Sequence, residues 1–220
     1  MPSTTTNLFL RNKYSLYLIL ALSAIFFSYI IQTHIIDEDI LINYYHDQMG
    51  YDRILQMIDV QKKWAWLNYA LLPIIYLVKF SLITFWILCG TIIFGFKIKY
   101  KSIFKLVLVA EFVWLLPSLI LIVWFGLIDT SYTFTDVQYF APLSLLNLFD
   151  ASQLDSWLIF PLKSLNLFEV IYLLVLALGI KKIIKKDYDS ALKFTLPVYG
   201  SALVVWILFV TFLSINLGAQ

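Results

Sequence analysis

The feature that most constrains this chain is a set of five apolar stretches, at approximately residues 14–35, 66–96, 106–128, 161–180 and 194–214. Each comes close to or exceeds the roughly 20 residues that a helix rising about 1.5 Å per residue needs to cross about 30 Å of hydrocarbon. A chain that is 61% hydrophobic and 18% aromatic over 220 residues does not build a soluble core. The reading is an all-α, single-domain membrane protein over 1–220, a bundle of five transmembrane helices. No internal repeat, linker or low-complexity tract divides it. The first stretch follows Arg11 and Lys13, as a signal peptide would, but its apolar part is too long and no small-x-small site follows it, so it reads as an uncleaved anchor.

Orientation follows from the basic residues in the short loops. One set of loops holds Arg11, Lys13, Lys97, Lys99, Lys101, Lys105, Lys181, Lys182, Lys185, Lys186 and Lys193, eleven in all, against Arg53, Lys62, Lys63 and Lys163 on the other side. That asymmetry puts the N-terminus in the cytoplasm and, after five crossings, the C-terminus outside. The outer 37–63 segment spaces Ile40, Leu41, Tyr44 and Tyr45, and again Ile54, Leu55, Met57 and Ile58, at helical intervals, which predicts two short amphipathic helices on the membrane surface. Trp64 and Trp66 mark the interface, Pro73 offers a bend in an over-long second span, and 129–160 reads as an aromatic interfacial loop.

Three ionisable residues fall inside the hydrocarbon, where each costs about 2.5–3.5 kcal/mol unless it finds a partner or water. Measured from the nearest basic boundary, Lys79 precedes Lys97 by 18 residues, Glu169 precedes Lys181 by 12 and Glu111 follows Lys105 by six. At about 1.5 Å per residue the heights are roughly 27, 18 and 9 Å. Lys79 and Glu169 then stand close enough to pair along a lysine stem, whereas a direct Lys79–Glu111 bond is not expected, and Glu111 belongs near the lysine-rich turn. With Asn166 and Asn68 these residues are the candidates for a polar path through the bilayer, and for a proton or ion relay along Glu111 and Glu169. The plainer readings are a snorkelling Lys79, a Glu169 that bonds across helices, and a Glu111 that serves packing.

Catalytic patterns are lacking: there is no H-E-x-x-H, no G-x-S-x-G, no P-loop and no G-x-G-x-x-G. His34 and His46, without i, i+4 spacing, read as solvated surface residues, and the single Cys89 makes no disulfide framework. A non-enzyme without cofactor or metal is expected. The charge balance of +2 gives no reason to invoke nucleic acid. The loops KIKYKSIFK and KKIIKKDYDSALK gather Lys97, Lys99, Lys101, Lys105, Lys181, Lys182, Lys185 and Lys186, which would attract anionic headgroups at about 1 kcal/mol each. Gly90, Gly95, Gly126, Gly179 and Gly200 are expected where helices approach closely.

The segment SLNLFEVIYLLVLALGIKK, residues 164–182, resembles the fourth-helix segment of the Yip1-domain family, a short apolar lead into an "l-x-l-x-a-i-G-l" run and a basic turn. The matching positions are Leu167, Phe168, Ile171, Tyr172, Leu176, Ala177, Gly179 and Ile180. The resemblance implies five spans with a cytoplasmic N-terminus. Thirteen residues precede the first span and the D-L-Y-G-P motif of eukaryotic members is not among them, so the similarity is to short-tailed bacterial Yip1-like proteins of the cytoplasmic membrane. The expected role is a scaffold or accessory subunit that organises lipids or a membrane complex, with other membrane proteins or a second copy as partners. The alternative is a transporter or permease subunit whose path involves Glu169, Lys79 and Glu111.

Overall fold

The computed structural model describes residues 12–217, and among them every regular element is helical. Arg11 and residues 218–220, which bear on the topology, lie outside the described residues. Helix α1, Lys13–Ile30, starts where the Asn12 side chain accepts the Tyr14 N–H, and runs on into a π-helical turn, Ile31–Ile35. Asp37 caps α2, Glu38–Tyr45, by accepting the Ile40 N–H at 2.9 Å. Helix α3, Tyr51–Ile93, has 43 residues and is about 64 Å long. Then come α4, Tyr100–Ala110, a 3₁₀ turn, Glu111–Trp114, α5, Leu115–Val123, and a second π turn, Trp124–Ile128, in one continuous rod. Short α6, Phe134–Tyr139, leads to α7, Ser156–Ser164, α8, Leu167–Ile184, and α9, Tyr188–Leu217.

Four of these helical stretches are long and apolar enough to cross a membrane: Lys13–Ile35, Tyr51–Ile93, Tyr100–Ile128 and Tyr188–Asn216. The chain is thus a helical integral membrane protein, but five continuous spans are not what it forms. The expected fourth span, 161–180, is broken between α7 and α8 at Leu165 and Asn166. The break has a local cause. Asn166 is a strong N-cap whose side chain takes the Glu169 N–H, and its extended backbone forms an isolated bridge with Ser144, closed by Leu145 N–H to Leu165 O at 2.9 Å and Leu167 N–H to Leu143 O at 3.0 Å. Helix α8 has only 18 residues and carries Glu169, Lys181 and Lys182.

Two further expectations are corrected. The second amphipathic helix of 37–63 is not separate: with no glycine or proline between Tyr51 and Pro73, its turns continue into the span, and Ile54 and Ile58 are buried against Leu41 of α2. Close helix approach holds at two of the five glycines. A Cβ at Gly179 would fall 1.9 Å from Leu106 Cδ1, and one at Gly90 2.5 Å from Val198 Cγ1. Gly126 and Gly200 face open space, and Gly95 serves a turn instead, at φ +72°.

The 3₁₀ turn at Glu111–Trp114 follows from Pro117. Proline offers no N–H to the carbonyl four residues earlier, at Val113, and its ring crowds that carbonyl, so the turn before it tightens. The core surrounds this point. Phe80 of α3, Ile103, Leu106 and Leu108 of α4, Tyr172 of α8 and Phe194 of α9 are all fully buried within one cluster. Helix α8 runs antiparallel to α4, with Tyr172 beside Glu111 and Gly179 beside Leu106, and α9 returns along it, with Val198 at Gly90 and Tyr199 at Glu169.

Candidate functional site

Lys79, near the middle of α3, places its ammonium 2.8 Å from Glu111 Oε2. This overturns both expectations about Glu111. The carboxylate is not beside the lysine-rich turn but buried at 3% exposure, and it, rather than Glu169, is the lysine's bonded partner. The error lay in taking lysines as the membrane boundary. Helix α3 ends at Ile93, before Lys97, and α4 begins at Tyr100, so Lys101 and Lys105 are already on its first turns. Counted from the helix ends, Lys79 stands 14 residues up and Glu111 11, or about 21 and 16 Å, within one helical turn of each other.

The second oxygen of Glu111 accepts the Tyr172 hydroxyl at 3.1 Å. Glu169, also buried, accepts the hydroxyl of Tyr199, and it feels Lys79 and Glu111 only through space. The two tyrosine rings lie 5.1 Å apart between their centroids, so the two acid–tyrosine pairs abut. The Lys79 ammonium also sits 5.6 Å from the centre of the Trp114 ring, a favourable cation–π position. Its side chain is 42% exposed, so the apolar stem lies along the surface of the bundle while the charge turns inward.

Local structure aims each member. Glu111 is carried by the 3₁₀ turn that Pro117 enforces, and Glu169 sits in the first turn of α8, where the helix dipole favours a carboxylate. Asn166 is spent entirely on the break: its Nδ2 donates to Lys163 O at 2.9 Å and Ser164 O at 3.3 Å, and its Oδ1 accepts from Glu169 N. Asn68 is exposed on α3, away from the cluster. Tyr172 and Tyr199 are the site residues that sequence reasoning missed. The available signal was a tyrosine inside an apolar span, since a buried phenol needs a hydrogen-bond partner.

At the far end of the bundle Lys97, Lys99, Lys101, Lys181, Lys182, Lys185 and Lys186 are exposed and Lys105 is half-buried. Phe94 and Phe96 both pack edge-on to Phe194, at 5.2 and 5.4 Å, which brings the α3–α4 and α8–α9 turns together, and Lys186 covers Phe96 at 5.3 Å. The basic residues thus form one surface. Among the described residues no three His, Cys, Asp or Glu side chains gather as a metal-ligand set. His46 lies on the surface, its Nε2 3.0 Å from the Asp47 carboxylate and its Nδ1 3.0 Å from the Asn43 carbonyl.

No family model matches this chain, and no curated protein and no solved structure does.

Proposed function

We propose that the chain is a non-enzymatic scaffold or accessory subunit of a bacterial cytoplasmic membrane, Yip1-like in its 164–182 segment, with the lysine-rich end toward the cytoplasm. In this reading α7 and α8 together make a fifth, interrupted crossing, which returns the C-terminus to the outer side. The observation that carries it is how the intramembrane charges are used. Lys79, Glu111 and Tyr172 close on one another, and Glu169 closes on Tyr199, so that α3, the α4–α5 rod, α8 and α9 are locked together. Such a lock stabilises a rigid platform, while the joined lysine turns hold anionic headgroups on one face.

The test is extraction of the full-length protein into native nanodiscs followed by mass measurement. A homo-oligomer or a stoichiometric membrane partner, with anionic lipid retained, is the expected result; a bare monomer without enriched lipid refutes the role. A reporter fused after Gln220 checks the orientation, which fails if the reporter is active in the cytosol. A second reading, a transporter or permease subunit, is favoured by one feature: the helix break at Leu165–Asn166 lies beside the charged cluster, as discontinuous helices do at transport sites.

A further inference from the structure

Above the Lys79–Glu111 pair, α1 with its π turn, α3 and the α4–α5 rod line an open cleft of about 360 Å³. It lies between the faces that carry Ser28 on α1 and Gln32 on the π turn that continues it, Leu72 and Tyr76 on α3, and Trp114 and Ser118 on the α4–α5 rod. Each helix therefore contributes residues four apart, which is the spacing that puts both on one face. The lining runs from Ala24 on α1 through the π turn to Ile36, beside Asp37, so the cleft extends from the aspartate-rich end of the bundle down to the level of Trp114, whose ring faces the Lys79 ammonium.

Two of the free groups in the lining, a Gln32 amide hydrogen and the Trp114 indole N–H, can only donate, while its hydroxyls can donate or accept. Gln32 donates to Ser28 at 3.3 Å and accepts from Tyr69 at 3.0 Å, which leaves one of its amide hydrogens over. The Tyr76 hydroxyl, the Trp114 indole N–H and the Ser118 hydroxyl have no hydrogen-bond partner among the described residues. None of the three is sealed away, unlike the unpartnered Thr84 and Thr211 hydroxyls. A donor left unpaired at membrane depth is costly, and one that is not sealed off lowers that cost by facing water or a ligand. A volume of this size holds roughly a dozen waters at about 30 Å³ each, and falls within the approximately 300–1,000 Å³ range of small-molecule sites.

We propose that this cavity is a hydrated binding cleft that admits a small hydrophilic solute presenting hydrogen-bond acceptors and brings it against the Trp114 side of the Lys79–Glu111 pair. The inference requires only that the bundle sits in a bilayer. It does not depend on which end faces the cytoplasm or on any partner, so its failure and that of the scaffold reading are separable. Glu111 is already occupied by Lys79 and Tyr172, which leaves the uncharged donors to select the solute.

The test uses the full chain in nanodiscs, where both ends are open to reagent, with Cys89→Ala as background and single Ser28→Cys, Ser118→Cys or Leu119→Cys changes. Leu119, 44% exposed and adjacent to Ser118, reports the lipid-facing side at the same depth. The probes are the sulfonatoethyl and trimethylammonioethyl methanethiosulfonates, which share one reactive group and differ in a headgroup with acceptors or without them, each rate normalised to a free thiol. Ser28→Cys and Ser118→Cys should react with the sulfonate reagent at least tenfold faster than Leu119→Cys, and at least threefold faster than with the ammonium reagent. Equal rates at all three positions would show a dry gap and overturn the cleft. A preference for the ammonium reagent would overturn the ligand class. Circular dichroism of each variant confirms the fold, and the near-isosteric serine-to-cysteine changes preserve it.

Discussion

Removing the charge from Lys79 while keeping its bulk, as Lys79→Met, leaves Glu111 buried at 3% exposure with only the Tyr172 hydroxyl. Breaking one side of a buried ion pair costs about 3–5 kcal/mol, and the partial exposure of Lys79 lowers the expectation to roughly 2–3 kcal/mol. Glu111→Gln costs less, about 1–2 kcal/mol, because the freed lysine can reach the interface along its exposed stem. Because the two groups are bonded to each other, the losses do not add. The double variant should cost little more than Lys79→Met alone, a coupling of about 1.5 kcal/mol. A matching cycle with Glu169→Gln should be additive to within about 0.5 kcal/mol, since Lys79 makes no bond to Glu169. The assay is reversible unfolding in bicelles by steric trapping. A coupling below about 0.5 kcal/mol in the first cycle, or a larger one in the second, refutes the assignment of partners.

Three further outcomes are expected. Gly179→Ala puts a Cβ 1.9 Å from the end of the buried Leu106 side chain, so it should lower stability by about 1–3 kcal/mol in thermal unfolding, with partial recovery on adding Leu106→Ala. Asn166→Ala removes the α8 cap and should cost about 1 kcal/mol, read as faster hydrogen exchange at Phe168 and Glu169 than at mid-helix Leu176. Hydrogen bonds from Ser190 hold the Asp187 carboxyl below its usual range, so its contribution is present above the unfolded-state value and is lost as pH falls through the depressed folded value. Hydrogen exchange in the α8–α9 turn should therefore rise on acidification, and Ser190→Ala should remove most of that pH dependence.

Some of the site was legible before any coordinates. Lys79, Glu111 and Glu169 stand out because an ionisable residue in an apolar run is rare and costly. Asn166 could have been read as a cap, for asparagine three residues before a glutamate is a helix-start signature, and that same pattern marks where the fourth apolar stretch breaks. Hydropathy treats 161–180 as uniform because it averages over backbone hydrogen bonding. The bridge from Leu143 and Leu145 to Leu165 and Leu167 joins residues about twenty apart and leaves no periodic trace in the sequence.

What the amino-acid sequence determined by itself is the solvent, the helical class and the clustering of lysines at 97–105 and 181–193, because bilayer insertion responds to summed apolar length and local charge, and both can be counted along the chain. Which charges meet was decided only by tertiary structure. Pairing depends on where helices actually begin and how they face one another, and a boundary misplaced by five residues moves a carboxylate about 7 Å along the axis. The tyrosines that complete the lock, and the cleft above it, arise from three-dimensional convergence of helices that no linear spacing encodes.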